Sequence, residues 1–311
     1  LFLLVIPRFI SFPLYDRFAP EVNGARRWLV LNPPGVLPAV PLLSRISFQP
    51  SEFAKFSLVL YLAAWFAGQN NVKRKKSSLA NGAKKLPGFL SVIFLLAVTG
   101  GLVLMEPDFA TTAVIVAIGL WMYFVAGAPL FPLVGGSLAV IAAGIGFIWS
   151  SPYRRRRLLT FLDPSRADPL SAGYHLRQIL IALGSGGVLG VGLGESRQKY
   201  GYLPEAAGDS IFAIIGEEFG FFGTAFLVLV FMLFLWRSFM IIGEESDDFS
   251  KNLASGVTGW LGLQVLVNLC AMTGLIPLTG ITLPLVSYGG SSMIFTMAGI
   301  GLLLKVSARS K

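Results

Sequence analysis

Residues 86–105 read LPGFLSVIFLLAVTGGLVLM, a stretch without a single charge. At about 1.5 Å per residue, a helix of this length crosses a hydrocarbon core of roughly 30 Å. Moving outward, Phe109–Gly127, Ala128–Ser151, Phe219–Trp236, Leu253–Thr273 and Gly289–Leu304 are likewise uncharged. Phe53–Gly68 is shorter and contains Lys55, and Leu1–Ser11 is a partial segment interrupted by Pro7 and Arg8. These make about eight spans, with the length of helices rather than the ~10-residue alternation of membrane barrel strands. The expected fold is all-α, a polytopic transmembrane helix bundle forming one integral domain over residues 1–311. Composition agrees: 54% of residues are hydrophobic and 13% charged, about half the charged share of a soluble domain. The sequence does not begin with Met and its first span looks clipped, so an N-terminal portion is expected to be missing.

Charge sets the orientation. Lys73, Arg74, Lys75, Lys76, Lys84 and Lys85 crowd the segment of about 69–86 with no acid among them, which places it in the cytoplasm by the positive-inside rule. The basic tail (Lys305, Arg309, Lys311) reads the same way, and an even number of spans separates the two. The long segment of about 152–212 then lies outside. It carries Arg154, Arg155, Arg156, Arg157, Arg166, Arg177, Arg197 and Lys199, and a long loop is largely exempt from the charge rule. Two readings of these cations stand: they solvate the loop or bind headgroups, or they attract an anionic membrane-bound substrate. Within the loop, AGYHLRQILIALG (Ala172–Gly184) is too short to span and suits an interfacial or re-entrant helix. The glycines that follow, from Gly184 to Gly194, serve either as a flexible connector or for close backbone approach to a ligand.

Few residues are available for chemistry. His175 is the one histidine and Cys270 the one cysteine, so neither a disulfide framework nor a zinc site of paired Cys and His ligands can be built. Acid–base work falls to carboxylates. Glu52 and Lys55 are three apart on one helix face and form either a structural ion pair or part of a cavity lining. Glu106 and Asp108 flank Pro107 on the outer side. Asp209 precedes the helical run IFAIIGEEFGFFG, where an acid can be a cap as well as a catalyst.

Several blocks carry a resemblance: NGARRW (Asn23–Trp28), FQPSEFAK (Phe48–Lys55), EPDFATT (Glu106–Thr112) and YRRRRLLTFLDP (Tyr153–Pro164). To these add the run from Ile181 to Gly220 and TGLIPLTGITLPLVSYGGSS (Thr273–Ser292). In order and over nearly the whole chain, they resemble the SEDS family of peptidoglycan glycosyltransferases (FtsW, RodA and SpoVE). SRQKYGYLPEA and IFAIIGEE are more similar to the division-associated, FtsW-type branch. The resemblance implies about ten spans in a full member, where about eight are counted here. It also implies His-Thr-Asp-Phe where this chain has Ala207, Gly208, Asp209 and Ser210.

What the resemblance implies is polymerisation of lipid II onto an undecaprenyl-pyrophosphate-linked glycan, on the extracytoplasmic face of the bacterial cytoplasmic membrane. Asp209 would be the general base. Arg154, Arg157, Arg197 and Lys199 would hold the pyrophosphate, through bidentate contacts for Arg and a point charge for Lys. Glu52, Lys55, Glu106 and Asp108 would line the cavity, with Arg26, Trp28, Glu205 and Ser287 as further substrate contacts. Trp28 reads equally as an interfacial anchor, and the turn holding Ser287 as purely structural. No motif demands a metal, and the sequence leaves room for a divalent cation (Mg²⁺ or Mn²⁺) at the pyrophosphate. Expected partners are a class B penicillin-binding protein, divisome or elongasome proteins and membrane lipids, with no nucleic acid. A lipid II flippase or other transporter, and a non-catalytic scaffold for a wall synthase, are the competing readings.

Overall fold

The computed structural model describes residues 19–20, 26–30, 47–77, 89–127 and 172–309, with isolated positions between 134 and 162. The expected first span, most of Ala128–Ser151, and Arg154, Arg157 and Arg166 lie outside the described residues. In chain order the described elements are β1 (Leu29–Val30), β2 (Ser47–Phe48), α1 (Pro50–Ser77), α2 (Phe89–Met105), α3 (Phe109–Val125), α4 (Ala172–Gly186), α5 (Ile211–Glu244), α6 (Asp248–Met272) and α7 (Gly290–Arg309). The described residues are all-α apart from the two-residue antiparallel pairing of β1 and β2. Among the described residues α5, α6 and α7 are long and apolar enough to cross a membrane, and α2 and α3 are shorter apolar helices.

The chain divides into two compact units, each built from segments distant in sequence. The first comprises Leu1–Pro129, Ser238–Leu261 and Gly289–Lys311. Here α1 starts at Pro50, whose missing N–H costs nothing in a first turn, and Glu52 complements the positive helix end. It runs on to Ser77, so Lys73 to Lys76 lie on its last turns rather than in a loop. Lysine and arginine are good helix formers, and no glycine or proline interrupts the stretch. α2 and α3 form a hairpin capped by Asp108, whose carboxylate accepts from Thr111 N (3.1 Å) and Thr111 Oγ1 (2.9 Å). Small residues then allow close packing without any hydrophobic drive between helices in lipid. A Cβ on Gly259 would sit 2.2 Å from Trp121 Cδ1, and one on Gly256 2.7 Å from Val59 Cγ1. The same Trp121 donates through Nε1 to Ser255 O at 3.0 Å. β2 is tied to α7 through Ser291, whose hydroxyl accepts from Gln49 N and donates to Ser47 O.

The second unit comprises Leu130–Arg237 and Gly262–Tyr288. Its core gathers Ile179 and Ala182 from α4, Phe212 to Ile214 from α5, Val265 and Met272 from α6, and Leu203 and Leu283 from loops. α5 is discontinuous. At Gly220 the backbone turns to φ 65° and ψ −160°, a conformation only glycine adopts at low cost. The backbone groups released there are taken up by the segment after α4. Val191 N donates to Glu217 O (2.9 Å), Gly192 N to Glu218 O (3.1 Å), and Phe221 N to Gly187 O (2.9 Å). This is how a break is tolerated at membrane depth. A Cβ on Gly186 would lie 1.9 Å from Gly216 O, and one on Gly190 2.1 Å from Glu218 O. These glycines therefore permit close backbone approach to α5. Beyond the break, Phe222, Phe226, Leu233 and Trp236 are exposed, as a lipid-facing helix requires.

Candidate functional site

In the first unit, the ionisable residues singled out in the sequence fall into two clusters. Lys55 Nζ lies 2.7 Å from Glu52 Oε1, both side chains being buried, and 5.7 Å from the centre of the Trp260 ring. An ion pair at such depth is expensive, and the aromatic face offsets part of the ammonium desolvation. The second cluster is the turn from α2 to α3. Arg27 donates to the carbonyls of Glu106 and Pro107, bracing the turn. The Glu106 carboxyl is buried, and neither oxygen is hydrogen-bonded among the described residues. Burial pushes it up to about 8, with the neighbouring Asp108 charge adding to the rise and Arg27 opposing it. Arg26 and Trp28, the expected substrate contacts, are half-buried beside Arg27 in the lead-in to β1. An apolar cavity of about 460 Å³, lined by residues including Leu29, Phe48, Phe53, Tyr61 and Leu95, lies in the same unit. Its described lining carries no charge.

In the second unit Asp209 is buried at the entrance to α5. Asn268, fully buried on α6, donates from Nδ2 to Asp209 O and to Ile281 O, both at 2.8 Å. That one side chain ties the loop before α5 to the segment after α6. Ser210 Oγ lies 3.3 Å from Asp209 Oδ1 and 2.8 Å from His175 Nε2. Gly280, at φ 72°, borders the carboxylate: a Cβ there would come within 3.8 Å of Asp209 Oδ2. Tyr288 N donates to Ala207 O at 2.8 Å, bringing the Pro- and Gly-rich segment 273–288 onto the same loop. Ser287 is buried and its hydroxyl accepts from Leu283 N at 2.7 Å, so it holds the turn. Glu205, at φ 49°, accepts through its carbonyl from Gly208 N and Ser210 N.

The loop cations have different surroundings. Lys199 pairs with Glu218 at 2.8 Å and donates to Gly194 O at 2.6 Å. The Glu218 hydrogen bond holds its pKa above the ordinary lysine value. Arg197 is exposed, while its backbone N–H, like that of Gln198, donates to the Glu217 carboxylate. Glu217 also accepts from Ser196 Oγ. The paired acids of GEEFG are thus fastened to the SRQK stretch. Arg154 and Arg157 lie outside the described residues. No group of three or more His, Cys, Asp or Glu side chains that could hold a metal ion occurs among the described residues.

Sequence reasoning missed Arg27, Asn268, Ser210 and the placement of His175. Asn268 could have been suspected as one of two amides in LQVLVNLC, four residues after Gln264, because a polar group inside a span needs a partner.

Comparison with known proteins agrees with this architecture. The family model described as "Cell cycle protein" (FtsW, RodA, SpoVE) matches residues 1–311. The probable peptidoglycan glycosyltransferase FtsW of Nitrosococcus halophilus is 41% identical over 301 residues, 94% of this chain and 70% of that protein. Stage V sporulation protein E of Bacillus subtilis is 38% identical, over 93% of this chain and 73% of its own length. Among solved structures, a chain of a peptidoglycan synthase complex that coordinates polymerization and crosslinking superposes with a TM-score of 0.71. It is 30% identical, over 99% of this chain and 78% of that one. The rod shape determining protein RodA of Thermus thermophilus gives a TM-score of 0.61 at 28% identity, over 99% of this chain and 84% of its own. The described helices, the extent of the family match and these similarities agree, and the chain belongs to the FtsW, RodA and SpoVE family.

Proposed function

We propose that this multi-pass membrane protein is a peptidoglycan glycosyltransferase that polymerises lipid II, releasing undecaprenyl pyrophosphate on the extracytoplasmic face of the bacterial cytoplasmic membrane. The observation that carries the reading is Asp209: a buried carboxylate held through its backbone by Asn268 and approached at Oδ1 by Ser210. The donor is already activated by its pyrophosphate, so no acid is needed to protonate a leaving sugar oxygen, unlike glycoside hydrolysis with its two carboxylates. One base suffices. Asp209 accepts the proton of the acceptor GlcNAc hydroxyl as the oxygen attacks the anomeric carbon of the donor MurNAc and the pyrophosphate departs, inverting that centre. General-base assistance of this kind contributes on the order of 10²–10⁴ in rate.

Charge building on the pyrophosphate is met by cations. Arg197 is an exposed cation of the loop suited to this, with Arg154 and Arg157 assigned the same role. Lys199, already paired with Glu218, contributes less charge there. Glu52, Lys55, Glu106 and Asp108 are assigned to a polar lining that faces the substrate, apart from the uncharged described lining of the apolar cavity in the first unit. A divalent cation (Mg²⁺ or Mn²⁺) would take its ligands mainly from the phosphates. The described residues offer no donor cluster for it, and no step is assigned to it. A class B penicillin-binding protein, which crosslinks the strands, is the proposed partner in a divisome or elongasome.

Supplying fluorescent lipid II to the full-length protein with its transpeptidase partner tests the proposal. A ladder of glycan strands is expected. Translocation of lipid II across vesicles without any polymer would contradict it.

A further inference from the structure

The hydrogen bonds that end on Asp209 begin on another helix. His175, on α4, places Nε2 2.8 Å from Ser210 Oγ, and that oxygen lies 3.3 Å from Asp209 Oδ1. Ser210 is fully buried and Asp209 nearly so. A count of hydrogens orders this chain. An ionised carboxylate only accepts, and a serine hydroxyl owns a single hydrogen. With that hydrogen directed at Asp209, Ser210 has none to offer His175, so the imidazole is the donor and Nε2 carries a proton. The polarity runs from His175 through Ser210 to Asp209.

We propose that His175, acting through Ser210, is a positioning residue for Asp209. It fixes Oδ1 and with it the orientation of the carboxylate toward the acceptor hydroxyl. The inference rests on the reading of Asp209 as the general base. Two features beyond the chain itself support it. The aspartate is gripped from separate elements, its main chain by Asn268 on α6 and its side chain by the pair that starts on α4. Gly280 packs beside Oδ2, the position of a Cβ there lying 3.8 Å from that oxygen, an ordinary van der Waals contact. A general base needs its carboxylate held in a fixed orientation, because misplacement by about 1 Å costs on the order of 100-fold in rate.

The test compares polymerisation rates of the full-length protein with its transpeptidase partner over a range of lipid II concentrations. His175→Phe and Ser210→Ala should lower kcat by about 10- to 100-fold while leaving KM within about 2-fold. His175→Gln and Ser210→Thr, which keep a donor and a hydroxyl, should recover most of the loss. The double variant His175→Phe/Ser210→Ala should be no slower than either single one, since both act through one chain. Equal rates for His175→Phe and His175→Gln, or additive losses in the double variant, would overturn the proposal. Independently of activity, the ¹⁵N imidazole signal that disappears in His175→Gln should report a protonated Nε2 in the wild type and move in Ser210→Ala. A bare Nε2, or a signal indifferent to Ser210→Ala, overturns it as well. Asp209→Asn separates the two readings. If it polymerises at the wild-type rate, the base assignment and this inference both fall. If it is inactive while His175→Phe runs at full rate, only the inference falls.

Discussion

Both amide hydrogens of Asn268 are committed to carbonyls, those of Asp209 and Ile281. Asn268→Leu keeps the volume and removes both bonds. Each buried carbonyl left unpaired costs about 1–3 kcal/mol, so a clear drop in melting temperature in detergent is expected, together with loss of polymerase activity. A variant as stable as the wild type would mean that other groups hold the two segments. Glu106 offers a test by pH. Its pKa rises from 4.5 to about 8 in the folded protein, so the folded state retains a proton that the unfolded state releases. Its contribution to stability is full below pH 4.5, falls as pH rises toward 8, and is lost above that. Glu106→Gln should remove this part of the slope, read as melting temperature against pH from 5 to 9. A wild-type slope that persists in the variant would place its origin elsewhere. The structure also shows what a neighbour of Asp209 does: Ser210 supplies a hydroxyl between His175 and the carboxylate.

At the scale of elements, the uncharged runs behind α2, α3, α6 and α7 were legible because lipid demands them, whatever the tertiary partners. Asp108 at the entrance to α3 was legible as a cap, as an acid at a helix entrance commonly is, and it accepts from Thr111 N there. The break in α5 was not legible. IFAIIGEEFGFFG reads as unbroken helix, and the turn at Gly220 depends on backbone groups of residues 187–192, about 30 positions earlier in the chain. For the same reason the charge of Lys199 was visible while its partner Glu218 was not. The glycines make the packing testable. Gly259→Ala would drive a Cβ to 2.2 Å from the Trp121 ring, and overpacking of this kind costs about 1–3 kcal/mol. Gly243→Ala meets nothing within 4 Å and should be neutral, or stabilising by up to about 1 kcal/mol. Equal melting temperatures for the two variants would contradict the close approach of α6 to Trp121.

For the whole molecule, composition alone fixed the solvent: a chain so poor in charge and so rich in long apolar runs belongs in a bilayer. Chemistry was legible as residue types, since a single histidine and a single cysteine left carboxylates as the available acids and bases. It was not legible as geometry, because His175, Asp209, Asn268 and Gly280 are brought together only by folding. We propose that Asp209 is the base of a lipid II polymerase. The most direct test compares the full-length protein, bound to its transpeptidase partner, with its Asp209→Ala variant on fluorescent lipid II. The wild type should produce a glycan ladder, and an equally stable Asp209→Ala protein should lose at least about 100-fold in rate. Ladders of equal intensity from both would contradict the claim.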